Sequence, residues 1–505
     1  LMVTERWRHS KYNGGGSCGD WFVESTVRII DISDPSGQIH EHTAFTRRGD
    51  LTDQFKQTYV YDPVKKTGLY LGIFARNEWT NCKRVVQNEL VAIDITDASK
   101  PKELSSVAFG KPNETVRGSV FDVQRKVAFA ITARAVDPLY ALSFADPKAL
   151  KIESEIDGLS GDMSVFRFID GGKFLLAVGR DNSDSCTGFD TGWSSTKMAV
   201  SIIDVQHLDA IRLVQRRCVA VDGARWQRSA VSNNQDQAHK MLGMYSDELV
   251  NLIAVPVTYY EEVGGSADPW SWWYMRRSAV GMMSWDLSRY DPLLPPAQQQ
   301  VLTDLATVLH PQDEVKRTIF LRRDGPQGAI KRLMLTLSDT HMAINDISVL
   351  TAPKERASVE IAPYIAGVYK LDSGHVVEHV RHGGANYWYY NDRRPSTFRV
   401  KLPAADGALD KQVAQASIVI GGVQTILQQG NKLLLLRRSS QWSSGGYRSD
   451  LLVLDFAKPD KPTLAGRVEL PGRIRGYAGG CGAFDYYYYY WGSYQTRSFA
   501  QTDEG

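Results

Sequence analysis

Short runs of alternating apolar and polar residues recur along the chain, and each set of runs contains one similar phrase. Copies of it are VRIIDISDP from Val27, LVAIDITDA from Leu90, LYALSFADP from Leu139, VSIIDVQHL from Val200, GMMSWDLSR from Gly281, NDISVLTAP from Asn345, STFRVKLPA from Ser396 and LLVLDFAKP from Leu451. Each copy is rich in β-branched or aromatic residues and closes with turn-forming residues. The pattern predicts one β-strand for each copy.

Further strand-like runs flank each copy of the phrase. A pair joined by a tight turn precedes it, as in SVFRFIDGGKFLLAVG, where Gly171 and Gly172 suit a hairpin. Another strand, such as ELSSVAF, follows it. The repeating unit is therefore four antiparallel strands, named A to D in chain order, with the phrase as strand C. Because radial repetition protects sheet edges, the pattern predicts an all-β fold, a single β-propeller over residues 1–505 with about eight blades or, alternatively, seven.

The two ends of the chain are predicted to share one blade. Residues 1–4, 27–33 and 39–45 fit strands B, C and D of a unit that has no strand A. The Tyr-rich segment FDYYYYYWG at residues 484–492 would supply that strand and close the ring, or else pair elsewhere. Because the chain opens within a strand, we expect a native N-terminal region before Leu1, which could hold a targeting segment or a membrane anchor.

The links between strands differ on the two faces of the predicted ring. The A–B and C–D links are short, whereas many B–C links on the other face are long and aromatic, and Trp7 and Trp21 lie in the first. Aromatic and Arg-rich surfaces are typical of protein interfaces and also suit sugar rings, although packing between the loops is the alternative. The candidate binding residues on this face are Trp79, Trp193, Trp270, Trp272, Trp273, Tyr274, Tyr387, Trp388, Tyr389, Trp442 and Tyr447.

The D–A links are predicted to reach the mouth of the central channel on the same face. Charged residues there could bind a small polar ligand or a cation, or could form salt bridges that tie the blades together. The candidates are Asp50, Asp53, Arg117, Asp162, Arg225 and Arg475. Asp181, Asp184 and Asp190 are weaker candidates for calcium, since they lack the spacing of an EF-hand. No other cofactor and no catalytic residue is predicted.

Four cysteines lie in links of the long-loop face and are candidates for disulfides. Cys18, Cys82 and Cys186 fall within B–C links and Cys481 in the last D–A link. Disulfides between surface loops would indicate a compartment outside the cytoplasm, free thiols are the alternative, and the connectivity stays open. The chain has 59 Lys and Arg against 57 Asp and Glu, so no nucleic-acid partner is predicted. No apolar run is long enough to cross a membrane.

The segments VRIIDISDPSG, RGDLTDQFK and LVAIDITDASKPKELSSVAFG resemble bacterial secreted proteins with a C-terminal β-propeller domain. The resemblance implies an exported or cell-surface protein and supplies no catalytic residues. Val349 and Lys401 replace the aspartate of the phrase in units six and seven. The sequence therefore predicts a non-enzymatic, extracytoplasmic binding or scaffold module with a protein partner, a glycan or an assembly of its own kind. The alternative is a lactonase, lyase or glycoside hydrolase with its site at the channel mouth.

Overall fold

Antiparallel strands dominate the computed structural model. It describes residues 1–499 except 12–19, 32–39, 81–82, 112, 134–136, 160–161, 182–196, 220, 222–227, 230, 232–234, 265–271, 312, 325–329, 364, 382–394, 402–415, 422, 444–445, 471–473 and 477–496. Within these limits, strands pair in chain order into successive units. No helix among the described residues is long and apolar enough to cross a membrane.

The first four units account for the N-terminal part of the chain. Unit one contains β1 (Met2–Lys11), β2 (Asp20–Asp31) and β3 (His40–Arg48). Unit two contains β4 (Gln57–Asp62), β5 (Thr67–Thr80), β6 (Lys83–Asp94) and β7 (Lys102–Phe109). Unit three contains β8 (Thr115–Asp122), β9 (Val127–Ala133), β10 (Asp137–Ser143) and β11 (Lys151–Leu159). Unit four contains β12 (Asp162–Ile169), β13 (Phe174–Asp181), β14 (Lys197–Asp204) and β15 (Arg212–Cys218).

The remaining units follow the same order. A two-residue strand β16 (Arg228–Ser229) and a helix α1 (Gln235–Met241) precede β17 (Gly243–Ser246), β18 (Asn251–Gly264), β19 (Trp272–Trp285) and β20 (Leu302–His310) of unit five. Unit six contains β21 (Arg317–Asp324), β22 (Ile330–Leu337), β23 (His341–Asp346) and β24 (Lys354–Glu360). Unit seven contains β25 (Ile365–Lys370), β26 (Val376–Arg381), β27 (Pro395–Lys401) and β28 (Ala416–Gly421). Unit eight contains β29 (Val423–Gln429), β30 (Lys432–Ser443), β31 (Gly446–Asp455) and β32 (Thr463–Leu470).

The predicted all-β propeller architecture is confirmed. Seven units have four antiparallel strands, in agreement with a propeller of about seven blades, and unit one adds three strands at the N terminus. The segment predicted to complete unit one, residues 484–492, lies outside the described residues. The last described strands, β33 (Ile474–Gly476) and β34 (Arg497–Phe499), pair with each other in parallel. Closure of the ring by a shared blade therefore stays a prediction.

The repeated phrase is a strand with its own turn at the end. The Asp94 carboxylate accepts a hydrogen bond from the backbone N–H of Thr96, with Oδ1 and N 2.9 Å apart. Asp204 and Asp455 likewise accept a hydrogen bond from the backbone N–H two residues further along the chain, at 3.1 Å and 2.8 Å. This local bond ends strand C and starts the turn to strand D. In these units the aspartate of the phrase therefore stabilises the turn after strand C.

Unit six keeps this aspartate, so the prediction that Val349 replaces it is wrong. The sequence reading starts a strand at Asn345, whereas β23 ends at Asp346. The Asp346 carboxylate accepts a hydrogen bond from the N–H of Ser348 at 2.9 Å, as in the other units. In unit seven, Lys401 does end the strand, and its Nζ lies 3.0 Å from a carboxylate oxygen of Glu378.

Most of the apolar core lies between units. Five clusters of buried apolar side chains each join two consecutive units from one to six, and another joins units seven and eight. We call the surface between two consecutive units a seam. At each of the first four seams, a side chain of strand D donates a hydrogen bond to a backbone oxygen in the C–D link of the next unit. These bonds run from Thr43 to Ala98, Ser105 to Pro147, Ser154 to Leu208, and Gln215 to Gln299.

Candidate binding surface and channel mouth

The B–C hairpins of units one and two extend beyond their sheets and join each other. Strands β1 and β2 pair as far as Lys11 and Asp20, and β5 and β6 pair as far as Thr80 and Lys83. Trp21 of β2 then pairs with Trp79 of β5, which links the two hairpins into one continuous sheet. Because directly paired residues point to the same side of an antiparallel sheet, both indoles lie on one face.

Both faces of the joined hairpins have aromatic and cationic side chains, and we call this region the aromatic patch. It consists of Trp7, Arg8, His9, Trp21, Phe22, Arg48 and Trp79. Trp7 is 57% exposed and Trp79 is 37% exposed. These two indoles are therefore the apolar groups of the patch that a partner can reach.

Cations cover the other two aromatic rings of the patch. The Arg8 guanidinium lies 4.4 Å from the centre of the Trp21 ring, and that of Arg48 lies 4.5 Å from the centre of Phe22. The His9 ring stacks on Phe22 with 4.8 Å between ring centres. Such cation–π contacts hold long side chains in place and leave charge on the surface.

Ion pairs beneath the patch fix the two hairpins relative to each other. Glu78, whose side chain is only 4% exposed, accepts hydrogen bonds from Arg48 of unit one and Arg76 of its own strand, both at 2.6 Å. Arg6 of β1 lies 2.8 Å from the Asp50 carboxylate. Burial raises the pKa of Asp50, and the charges of Arg6 and Lys56 oppose that rise. The patch therefore rests on a fixed base.

The structure describes the strand positions of only some of the other predicted aromatic residues. In β19, Trp272, Trp273 and Tyr274 pair with the end of β18, and Trp442 of β30 pairs with Tyr447 of β31. These five residues lie in the strands of two further extended B–C hairpins, where the sequence analysis expects long links. Trp193, Trp270, Tyr387, Trp388 and Tyr389 lie outside the described residues. Their part in a binding surface stays a prediction.

Two of the predicted channel-mouth residues meet through a lysine that the sequence reading missed. Lys56 and Asp53 form an ion pair, and their side chains are 2% and 4% exposed. The same ammonium group lies 3.3 Å from the backbone oxygen of Arg117 in unit three. Asp53 also accepts a hydrogen bond from the N–H of Phe55 at 3.0 Å. These contacts tie units two and three together, as the salt-bridge alternative for the D–A links expects.

Helix α1 lies between several units, and its sequence gives no signal for these contacts. It contacts the first strands of units four and six, β12 and β21. The side-chain amide of Gln235 accepts a hydrogen bond from the N–H of Ser119 at 3.0 Å and donates one to the oxygen of Ser119 at 2.8 Å. His239 meets Phe55 edge to face at 4.8 Å. The helix therefore bridges several units through their first strands and D–A links.

Most residues of the remaining predicted sites lie outside the described part of the chain. Asp162 begins β12 and Arg475 lies in β33, while Arg225, Asp184, Asp190 and the cysteines Cys18, Cys82, Cys186 and Cys481 lie outside the description. Asp181 is buried with its carboxylate 3.2 Å from Nε of Arg216. Within the described part of the chain, no three His, Cys, Asp or Glu residues are arranged to hold a metal ion. Calcium binding and the disulfides stay predictions.

Comparison with known proteins identifies one family and several distant structures. A model of the beta propeller domain family matches residues 25–348. The search of curated proteins finds no match. Among solved structures, a periplasmic gluconolactonase of Pseudomonas aeruginosa is 11% identical, with 80% of this chain and 96% of that chain covered and a TM-score of 0.32.

Two further structures have similar scores. A putative 6-phosphogluconolactonase of Bacteroides fragilis is 8% identical, with 81% of this chain and 97% of that chain covered and a TM-score of 0.29. A chain of the outer coat vertex of COPII is 9% identical, with 83% and 99% covered and a TM-score of 0.31. Likenesses of this size carry no argument about the activity of this chain.

Proposed function

The chain belongs to the beta propeller domain family, and on that premise we propose that it is a non-enzymatic binding module that acts outside the cytoplasm. The aromatic patch of units one and two is its binding surface. The exposure of Trp7, 57%, on a hairpin whose neighbour β3 is held through Arg48 to the buried carboxylate of Glu78 carries the proposal. Exposed Trp and Arg on a fixed base are the residue types that dominate binding energy at interfaces.

A protein partner fits the patch better than a glycan. Sugar rings stack on free aromatic faces, but cations already cover the Trp21 and Phe22 rings. The exposed indole of Trp7 shares one face of the joined hairpins with Arg48, and that of Trp79 shares the other face with Arg8. Each pair matches the mixture of aromatic and Arg side chains common at protein interfaces. We therefore propose a protein surface with apolar pockets and acidic groups as the partner.

The alternative of an enzyme at the channel mouth has less support. Asp53 and Lys56 are engaged with each other, and Gln235 is engaged with the backbone of Ser119. A catalytic group must be within hydrogen-bond reach of the atom on which it acts. These side chains are therefore already engaged with other groups of the chain.

Capture of partners from the native source by the full chain tests the binding proposal. In the double variant Trp7→Ala with Trp79→Ala, recovery of the partner should fall at least about tenfold, because hot-spot indoles each contribute a large share of affinity. The matched control replaces Val64 and Leu293 by Ala, since both are exposed apolar residues on the opposite face.

Three outcomes separate the possibilities. Equal capture by the double variant and the parent chain would show that the aromatic patch is not the binding surface. Saturable binding on a glycan array that the double variant loses would replace the protein partner by a glycan. Substrate turnover by the parent chain that Gln235→Ala alters would favour the channel mouth instead.

The compartment has its own test. Peptide mapping of the native protein under non-reducing conditions should find at least one disulfide among Cys18, Cys82, Cys186 and Cys481, since disulfides persist in oxidising compartments. Finding all four as free thiols in freshly isolated protein would contradict the extracytoplasmic assignment.

A further inference from the structure

Cys218 ends strand β15 of unit four and does not carry a free thiol. Its sulfur is disulfide-bonded in the structure. The other four cysteines of the chain all lie outside the described residues, and they are Cys18, Cys82, Cys186 and Cys481. The partner within the chain is therefore one of these four, and the position of the Cys218 sulfur discriminates between them.

Cys218 lies beside both ends of the B–C link of its own unit. It pairs with Ala199 of β14, two residues after Lys197, where that strand begins. Lys197 in turn pairs with Asp181, the last residue of β13. The Cys218 sulfur lies 3.9 Å from a carboxylate oxygen of Asp181. The link of residues 182–196 therefore leaves the sheet and returns to it next to this sulfur.

A buried ion pair fixes the start of this link relative to β15. The Asp181 carboxylate is fully buried and lies 3.2 Å from Nε of Arg216. Arg216 precedes Cys218 by two residues in β15, so both side chains point to the same side of the sheet. The sulfur and the first residue of the link are thus held by the same pair of strands.

Cys186 is within reach of this position. It is the fifth residue after Asp181, and five residues span at most about 18 Å when fully extended. A disulfide requires the two Cα atoms to be about 4.4–6.8 Å apart. The link can therefore bring Cys186 to Cys218 without any change in β13 or β15.

The other three cysteines belong to distant units. Cys18 is two residues before Asp20 of unit one, and Cys82 is one residue before Lys83 of unit two. Because stacked sheets lie about 10 Å apart, units two and one are at least about 20 Å and 30 Å from unit four. Cys481 follows β33, which contacts β29 of unit eight.

We propose that Cys186 and Cys218 form a disulfide that fastens the B–C link of unit four to strand β15. When it forms, each thiol gives up one hydrogen atom to a small organic disulfide, which leaves as two thiols while the new S–S bond forms. The fastened link contains Trp193, Asp184 and Asp190. Restraining the link lowers the entropy that these residues lose when they contact a ligand.

Peptide mapping of the purified full chain tests the pairing. The chain is folded in a mixture of reduced and oxidised glutathione, free thiols are blocked with iodoacetamide, and trypsin is applied without reductant. Each cysteine falls in its own tryptic peptide, and these cover residues 12–28, 77–83, 181–197, 218–225 and 476–497. We expect peptides 181–197 and 218–225 to be joined and to separate on reduction.

Three results would overturn the pairing: alkylated Cys218, Cys218 joined to any other cysteine peptide, or Cys218 joined to glutathione. Cys186→Ser should leave Cys218 open to alkylation, and the matched control Cys82→Ser should leave the joined peptides unchanged. The map of the parent chain decides by itself should a variant fail to fold. Because oxidation is performed on the purified chain, a negative result rejects this disulfide without bearing on the compartment or on the aromatic patch.

Limited digestion of the folded chain tests whether the disulfide fastens the link. Chymotrypsin cleaves after aromatic residues, and the link contains Phe189 and Trp193. Cleavage there should be several-fold faster in Cys186→Ser and in Cys218→Ser alike, because local opening is then less restrained. Cys82→Ser should be cleaved like the parent chain. Equal rates in all four proteins would overturn the fastening of the link.

Discussion

The seams among units one to six differ from the seam between units six and seven. Each of the former has a buried apolar cluster, whereas none of the described clusters joins units six and seven. On the two sides of that seam, Val359 and Ile361 are 51% and 54% exposed, and Ile365 and Val368 are 42% and 60% exposed.

The main contact described across this seam is an ion pair. The Arg399 guanidinium donates two hydrogen bonds to the Glu360 carboxylate, both at 2.7 Å. Ion pairs near the surface stabilise far less than a buried apolar cluster. In repeat architectures, stability is close to a sum of nearest-neighbour interfaces, so one polar seam divides the chain into units one to six and units seven and eight.

The largest expected effect comes from emptying an apolar seam. Phe166 is 1% exposed in the cluster between units three and four. Phe166→Ala should lower the free energy of unfolding by about 4 kcal/mol, because it removes a buried ring and leaves a cavity. Val359→Ala at the polar seam should cost less than about 0.5 kcal/mol. Urea denaturation followed by circular dichroism measures both, and losses of equal size would remove the distinction between the seams.

Acid should weaken the seam of units five and six specifically. The pKa of His310 is lowered to about 4 in the folded chain from 6.5. As pH falls below 6.5 the unfolded state binds this proton first, so stability is lost between pH 6.5 and 4, by about 3 kcal/mol in total. His310→Gln should flatten this part of the curve of unfolding free energy against pH. A curve unchanged by the substitution would exclude His310 as the cause, and His379→Gln is the control.

Removing an interlocking side chain should have a smaller effect. Gln215 donates to the oxygen of Gln299 and accepts from the N–H of Leu302, both at 2.6 Å, across the seam of units four and five. Gln215→Ala leaves these two buried backbone groups unpaired and should cost about 2 kcal/mol. Thermal unfolding of this variant, compared with Gln124→Ala at an exposed turn position, checks the value. A cost no larger than that of the control would mean that water replaces the bond.

The smallest change in global stability should come from the ion pair at the polar seam. Arg399→Gln should cost about 0.5–1 kcal/mol, as for other partly exposed pairs. Its effect should be local, with faster amide hydrogen exchange in β24 and β25 and unchanged exchange in units one to five. Faster exchange throughout the chain would instead mean that this pair supports the whole ring.

Local features of the fold could be predicted from the sequence. Gly171, Gly172 and Gly430 have φ values of 62°, 90° and 56°, the region that their hairpin turns require and that glycine enters without strain. The error in unit six arose because Asn345 and Asp346 both suit a turn, and only the strand pairing decides between them. The sequence predicts long B–C links with aromatic residues, but it does not show that the strands continue through them as extended hairpins.

The sequence by itself determined the strands, the turns and the order of the units, because these depend on residues within one repeat. Only the tertiary structure decided which side chains meet. Gln235 and Ser119 are 116 residues apart, and Thr340 and Asp313 are 27 apart. No local pattern marks such pairs, since the packing of neighbouring units, and not the alternation along a strand, brings them together. The contacts of helix α1 and the hydrogen bonds between units five and six are both of this kind.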